Sequence, residues 1–358
     1  MRDIEACRTA ALGGHVDVCL DCGAENPSYN SCRNRHCPKC QALAQARWLD
    51  GRMQRVLPVP YFHVVFTLPA EMRPLAKWDA RLIFDLLFRA ASDTLLALGR
   101  DPIRLDAQLG ITAVLHTWTR DLQFHPHVHC IVTGGGLSSD RTAWVGTGGR
   151  YLFPKKVMAR LFRGKLVAAL AAEHDRAKVR FPPDLSDPEA FAAFRNRLYH
   201  RDWVVYAKRP FAGPEQVYTY LGRYTHRVGI SNHRVRRVDQ DAVVIATRDG
   251  KTVTLTPFEF IRRFLQHVLP TGFVKIRHYG LHASSNVETR LVEARRLLGV
   301  TEVDSSPIPE PVSWQDLLER LTGIDVRRCR KCGSDRMQRV RPVPLPTTSR
   351  GPPDGDVP

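Results

Sequence analysis

The chain has 358 residues, with 53 Lys and Arg against 36 Asp and Glu, giving a formal net charge of +17. Hydrophobic residues at 43% and charged residues at 25% lie in the globular range, which excludes bulk disorder and collagen-like or coiled-coil architectures; the length allows two or three domains. No run approaches the ~18 uninterrupted apolar residues of a membrane-crossing helix, and no basic-then-apolar signal region follows Met1, so a cytosolic chain that attracts polyanions is expected.

Six of the nine cysteines, Cys7, Cys19, Cys22, Cys32, Cys37 and Cys40, crowd the first 40 residues. That stretch has little apolar periodicity and cannot build a core unaided. In a reducing cytosol the cluster points to metal ligation and not to disulfides. Cys19 and Cys22, and Cys37 and Cys40, form two CxxC knuckles with 14 residues between them, expected to close one tetrahedral site of four sulfurs about 2.3 Å from a structural Zn²⁺. Cys7, His15, Cys32 and His36 stand nearby as spare polar residues, replacement ligands or members of a second site. Arg33, Arg35 and Lys39 surround the knuckles and are DNA-contact candidates. The segment therefore reads as a nucleic-acid grip, since four thiolates leave no open metal position for chemistry.

From Pro60 the pattern changes. YFHVVFTLP reads as a strand, and the run from Trp78 as an amphipathic helix of about six turns ending at Gly99. ITAVLHTWT and HVHCIVTGGG are two strands compatible with an antiparallel pair. In FHPHVHCIV, His125, His127 and His129 alternate, so they share one face, with Val128 turned into the core. Pro126 leaves His127 and His129 as the better-formed pair, a candidate divalent-metal site. His116 on the preceding strand meets them if it stands opposite His127 or His129; a one-residue slip would turn it away and leave His125 as the competing third ligand. Helices are expected near Lys156–His174 and Pro188–Tyr199, with WVVYAK as a strand after them.

Gly213 and Pro214 open a further helix, PEQVYTYLGRYTHR, on which Tyr220 and Tyr224 are four apart and share a face. Arg223 and Arg227 make this stretch basic, and a phenol near guanidinium groups and a metal ionises more easily and can attack phosphorus. A hairpin with an Asp249-Gly250 turn follows, then a helix behind Thr256 and Pro257. Cys329 and Cys332 form half of a ribbon, either unmetallated or completing a site with upstream ligands. The tail from Arg336, rich in Pro, Arg and Gly, is expected to be disordered.

The strings SCRNRHCPKCQ, HPHVHCIVTGGG, WVVYAKRPF and YLGRYTHRVGISN together resemble the transposases of the insertion sequence 91 family, which are HUH endonucleases with two tyrosines. The resemblance covers roughly residues 5 to 335. It implies an α+β fold: an amino-terminal zinc-binding ribbon module over residues 1–50, an HUH endonuclease domain over 58–300 with a central antiparallel sheet flanked by helices, and a carboxy-terminal extension over 301–358. The chain begins almost on its cysteine module, where relatives carry more residues. Carried over, His127 and His129 match the residues that bind catalytic Mg²⁺ or Mn²⁺, and Tyr220 and Tyr224 match the nucleophiles. His116 resembles the third histidine of conjugative relaxases in its spacing. The implied activity is rolling-circle transposition, nicking and rejoining single-stranded DNA at mobile-element ends through a 5′-phosphotyrosine, in the cytoplasm at the nucleoid. The absence of a GxxxxGKS/T string is consistent with chemistry that needs no ATP. The competing readings are a plasmid replication initiator or relaxase of the same chemistry, and a non-enzymatic zinc-dependent DNA-binding protein.

Overall fold

A computed structural model describes residues 2–37, 39–53, 55–148, 152–176, 181–208, 229–300 and 312–343. They form two units, one holding the residues up to Arg47 together with those from Val312 onward, the other beginning at Trp48. No helix among the described residues is long and apolar enough to cross a membrane.

In the first unit, β1 (Gly14–Cys19) and β2 (Glu25–Tyr29) make an antiparallel hairpin whose tip is the Cys19–Cys22 knuckle. The free edge of β1 would leave its backbone groups unpaired, and the strand Met337–Val343 takes that edge. The separate carboxy-terminal extension is therefore corrected: residues from Val312 belong to this unit. The disordered tail is also corrected over Met337–Val343, where opposite charges reinforce the backbone ladder, Arg339 meeting Asp17 at 3.3 Å and Arg341 meeting Glu25 at 3.0 Å. Residues after Val343 lie outside the described set.

The second unit is built on an antiparallel sheet. β3 (Tyr61–Thr67), β4 (Ala107–Trp118) and β5 (Phe124–Ser138) form its centre, short β6 (Trp144–Gly146) pairs with β5, and β7 (Val205–Lys208) lies beyond β3. Period-two alternation gives each central strand two apolar faces. Phe62, Val64 and Phe66, Ile111, Ala113 and Leu115, and Val128, Cys130 and Val132 join one core with the helices Ala80–Arg100 and Lys155–Asp175. Tyr61, Val114 and Ile131 turn the other way, into a smaller core with Leu57, Leu281 and Leu291. Both helical faces follow the expected periodicity, and Asp79 caps the first helix by accepting from Leu82 N–H at 2.9 Å.

A second antiparallel sheet holds β8 (Val235–Val238), β9 (Val243–Ala246) and β10 (Thr252–Leu255). The β9–β10 turn has Asp249 and Gly250 at φ +56° and +76°, and Lys251 N–H donates to Arg248 O at 3.0 Å. Two successive positive φ values are those of a type I′ turn, which is why Asp-Gly is used. β11 (Ile276–Gly280) returns to the main sheet beside β4, completing the order β11-β4-β5-β3-β7. Leu122, in the β4–β5 connection, packs with Val243, Ile245 and Leu255, so this small sheet is anchored beside the histidine end of β4 and β5.

Three histidines of this unit are folded as neutral rings. Burial holds His267 down to about 4 and both His278 and His282 down to about 3, Arg52 adding to the shift of the last two. In the unfolded chain all three titrate near 6.5, so between roughly pH 6.5 and 4 the unfolded state binds protons that the folded state refuses. Stability is then full above about pH 6.5 and declines as the pH falls through that window. A urea midpoint clearly lower at pH 4.5 than at pH 7.5 is the expected result, with a flatter dependence in His267→Gln; a midpoint unchanged over this range would contradict it.

Candidate active site and cysteine clusters

β4 and β5 pair with His116 directly opposite His127, Leu115 opposite Val128 and Val114 opposite His129. This register puts His116, His127 and His129 on one face at the end of the sheet, opposite the face Val128 buries. One ligand nitrogen from each lies within 4.8 Å of the others, and His116 is 4.2 Å from His129 and 5.5 Å from His127 between ring centroids. Burial drives all three toward the neutral form, with neighbouring imidazoles opposing protonation: His127 is held at about 4, His116 and His129 well below their ordinary value. Neutral rings keep the lone pairs a metal needs.

Tautomers follow from the partners. His127 Nδ1 lies 2.6 Å from the carbonyl oxygen of His125; a carbonyl only accepts, so Nδ1 carries the proton and Nε2 offers its lone pair. His125 does not complete the trio: its Nδ1 accepts from the Arg73 guanidinium at 2.9 Å. His129 Nδ1 is 2.7 Å from His63 Nε2, and the two rings stack with 5.0 Å between centroids. Ligation by His129 Nε2 requires its Nδ1 proton to be donated to His63, so His63 can set both tautomer and ring orientation. Trp118 stacks on His116 at 4.8 Å. His63, Arg73 and Trp118 escaped the sequence reading; the available signal for His63 was a polar residue inside the apolar strand YFHVVFT.

With Mn²⁺ held by the trio, His63→Ala would weaken its affinity by about 10- to 100-fold, the usual cost of losing a partner behind a metal-binding histidine. Calorimetric titration of the full chain with Mn²⁺ measures it, and an unchanged affinity would remove His63 from this role.

The trio opens into a cleft of about 850 Å³ whose walls include Arg120, Arg234, Arg236 and Arg248. Arg234 ties the walls together, donating to Ala246 O at 2.9 Å and to Arg120 O. Arg120, Arg236 and Arg248 are exposed. The cleft is thus positive at its rim and has neutral imidazole nitrogens at its floor, which suits a phosphodiester. Tyr220, Tyr224, Arg223 and Arg227 lie outside the described residues.

The cysteines divide differently from the single site expected of Cys19, Cys22, Cys37 and Cys40. One cluster is Cys7, Cys32, Cys37 and Cys40; the other is Cys19, Cys22, Cys329 and Cys332. The physical reason is the β1–β2 hairpin. It carries the Cys19–Cys22 knuckle at its tip, whereas Cys7 precedes β1 and Cys32 follows β2 at the opposite end, so five to six residues of strand, on the order of 17–20 Å, separate the groups. The two knuckles cannot share an ion. His15 joins neither cluster and pairs with Asp17 at 3.3 Å. Arg33 and Lys39 are exposed beside the Cys7 cluster and Arg35 is half-buried there.

Sequence comparisons place the chain beside transposases. Residues 110–289 match a family described as "Putative transposase", and residues 1–68 match the "Transposase zinc-binding domain". The chain is 45% identical over 346 residues to "Putative transposase y4qJ" of Sinorhizobium fredii (strain NBRC 101917 / NGR234), covering 94% of this chain and 87% of that one. It is 28% identical over 354 residues to the "Transposase for insertion sequence element IS801" of Pseudomonas savastanoi pv. phaseolicola, covering 93% and 83%. No solved structure matches.

Proposed function

The chain belongs to the insertion sequence 91 family of transposases, and on that premise we propose that it nicks and rejoins single-stranded DNA by tyrosine transesterification in the histidine cleft. The observation that carries this reading is the convergence of three neutral imidazoles on one face of β4 and β5 beneath an arginine rim. Mg²⁺ or Mn²⁺ held by His116, His127 and His129 would supply Lewis-acid polarisation of a phosphate oxygen, with the all-imidazole set favouring the softer Mn²⁺.

The remaining roles fall to the chain. Arg120, Arg236 and Arg248 draw the DNA backbone into the cleft and offset its charge. The phenolic oxygen of Tyr220 or Tyr224 attacks phosphorus, forming a P–O bond as the P–O3′ bond breaks. The phenolic proton is lost and the departing 3′ oxygen gains one, leaving a free 3′-hydroxyl and a 5′-phosphotyrosine. Because one phosphodiester bond replaces another, no ATP is consumed, and attack by a 3′-hydroxyl reverses the step to join strands. A second tyrosine allows a second cleavage while the first strand is still attached, as transfer from donor to target requires. Arg33, Arg35 and Lys39 of the zinc-binding module, and Arg223 and Arg227 from the tyrosine segment, would contact further phosphates, and a DNA-bound protein of this kind would work at the nucleoid.

Incubating the purified chain with single-stranded element-end oligonucleotide and Mn²⁺ tests this. The expected result is a denaturant-resistant protein–DNA adduct, absent in EDTA, with peptide mapping placing the DNA on Tyr220 or Tyr224. Cleavage that leaves no protein on the DNA would overturn the mechanism.

A further inference from the structure

Cys19-Leu-Asp-Cys22-Gly23 and Cys329-Arg-Lys-Cys332-Gly333 are the same motif at the two ends of the chain. They also fold alike. In the first, Gly23 N–H donates to Cys19 O at 2.9 Å and Cys19 N–H to Ala24 O at 3.0 Å; in the second, Gly333 N–H donates to Cys329 O at 2.9 Å and Cys329 N–H to Ser334 O at 2.8 Å. Both glycines adopt positive φ, +69° and +78°, which lets the chain turn back under the sulfurs without a Cβ penalty. Lys331 N–H points at Cys329 Sγ at 3.4 Å, as backbone amides do around knuckle thiolates.

The two knuckles face each other. Cys19 Sγ is 3.6 Å from Cys332 Sγ, and Cys22 Sγ is 3.6 Å from Cys329 Sγ. A disulfide would need about 2.05 Å, whereas four sulfurs at about 2.3 Å from one Zn²⁺ lie about 3.8 Å apart at the corners of a tetrahedron. Ties beside the site hold this register: Arg336 pairs with Asp21 at 2.7 Å, and Leu20 N–H donates to Arg336 O at 2.9 Å.

We propose that Cys19, Cys22, Cys329 and Cys332 bind a second structural zinc ion, distinct from one held by Cys7, Cys32, Cys37 and Cys40, and so close a zinc ribbon from the two ends of the chain. The matched zinc-binding domain, residues 1–68, contains only half of this site. The other half lies more than 300 residues away, so the ribbon is completed only after almost the whole chain has been made. Copies truncated before Cys329 would keep the Cys7 cluster and lose the ribbon. The assignment rests separately from the nuclease reading, because metal held by four thiolates is told from metal on the imidazoles by its Co²⁺–thiolate absorption.

The test is zinc stoichiometry of the full-length chain by elemental analysis, with Co²⁺ substitution to report tetrathiolate absorption. Wild type is expected to hold two equivalents. Cys329→Ser with Cys332→Ser, Cys19→Ser with Cys22→Ser, and all four changes together should each leave one, because they dismantle the same site. Cys332→His, which keeps a ligand, should retain two equivalents but release one faster to a chelator, and guards against a variant that simply fails to fold. A wild type holding one equivalent, or a C329S/C332S chain still holding two, overturns the proposal; so does a Cys332→His chain holding only one.

Discussion

The double variant Tyr220→Phe, Tyr224→Phe is expected to form no covalent adduct with single-stranded DNA. Phenylalanine keeps the ring and its packing, so the change removes only the two hydroxyls. Loss of a covalent nucleophile in well-studied enzymes costs on the order of 10⁴- to 10⁶-fold in rate, enough to take adduct below detection on a denaturing gel. Each single variant should still form adduct through the remaining tyrosine while failing in strand transfer, which uses two cleavages. An adduct persisting in the double variant, mapped to another residue, would reassign the nucleophile and leave the histidine cleft untouched.

The second large effect is expected at the floor of the cleft. Replacing both His127 and His129 with Ala removes two of the three converging imidazoles proposed to hold the metal, and cleavage in Mn²⁺ should fall by about 10³-fold or more, the scale of losing an electrostatic stabiliser of a reacting oxyanion. His116→Ala should act in the same direction. His125→Ala should cost far less, since its ring is engaged by Arg73; that contrast separates ligation from a general disturbance of β5. Removing these rings strands no charge, because their pKa values lie below the ordinary histidine range and they are neutral at pH 7; thermal unfolding of each variant checks that its fold is kept. Full cleavage in the His127, His129 double variant would place the metal elsewhere.

The histidine site was legible in the sequence to an unusual depth because it is built from neighbouring strands. Alternation put His127 and His129 on one face, and the short connection made His116 a candidate to stand opposite, which is what the register delivers. The Asp249-Gly250 turn, the Thr256 cap of the Pro257–Leu265 helix and the long core helices were readable for the same reason: each depends on residues within a few positions. The partners of the β5 histidines were not readable. His63 and Arg73 are more than 50 residues from the histidines they contact; sheet order brings β3, with His63, against β5, and the helix Arg73–Trp78 that follows β3 carries Arg73 to His125.

The cysteines mark the same boundary more sharply. Composition and CxxC spacing alone pointed to a basic, zinc-binding chain, and the sequence strings alone identified its family. Which cysteines belong together was decided by the tertiary structure. The β1–β2 hairpin holds two nearby knuckles apart, while the Met337–Val343 strand brings Cys329 and Cys332 to the first knuckle from the far end of the chain. Spacing encodes distance only along a local turn or strand; once ligands are separated by a rigid hairpin or by hundreds of residues, strand order determines which of them can reach the same ion.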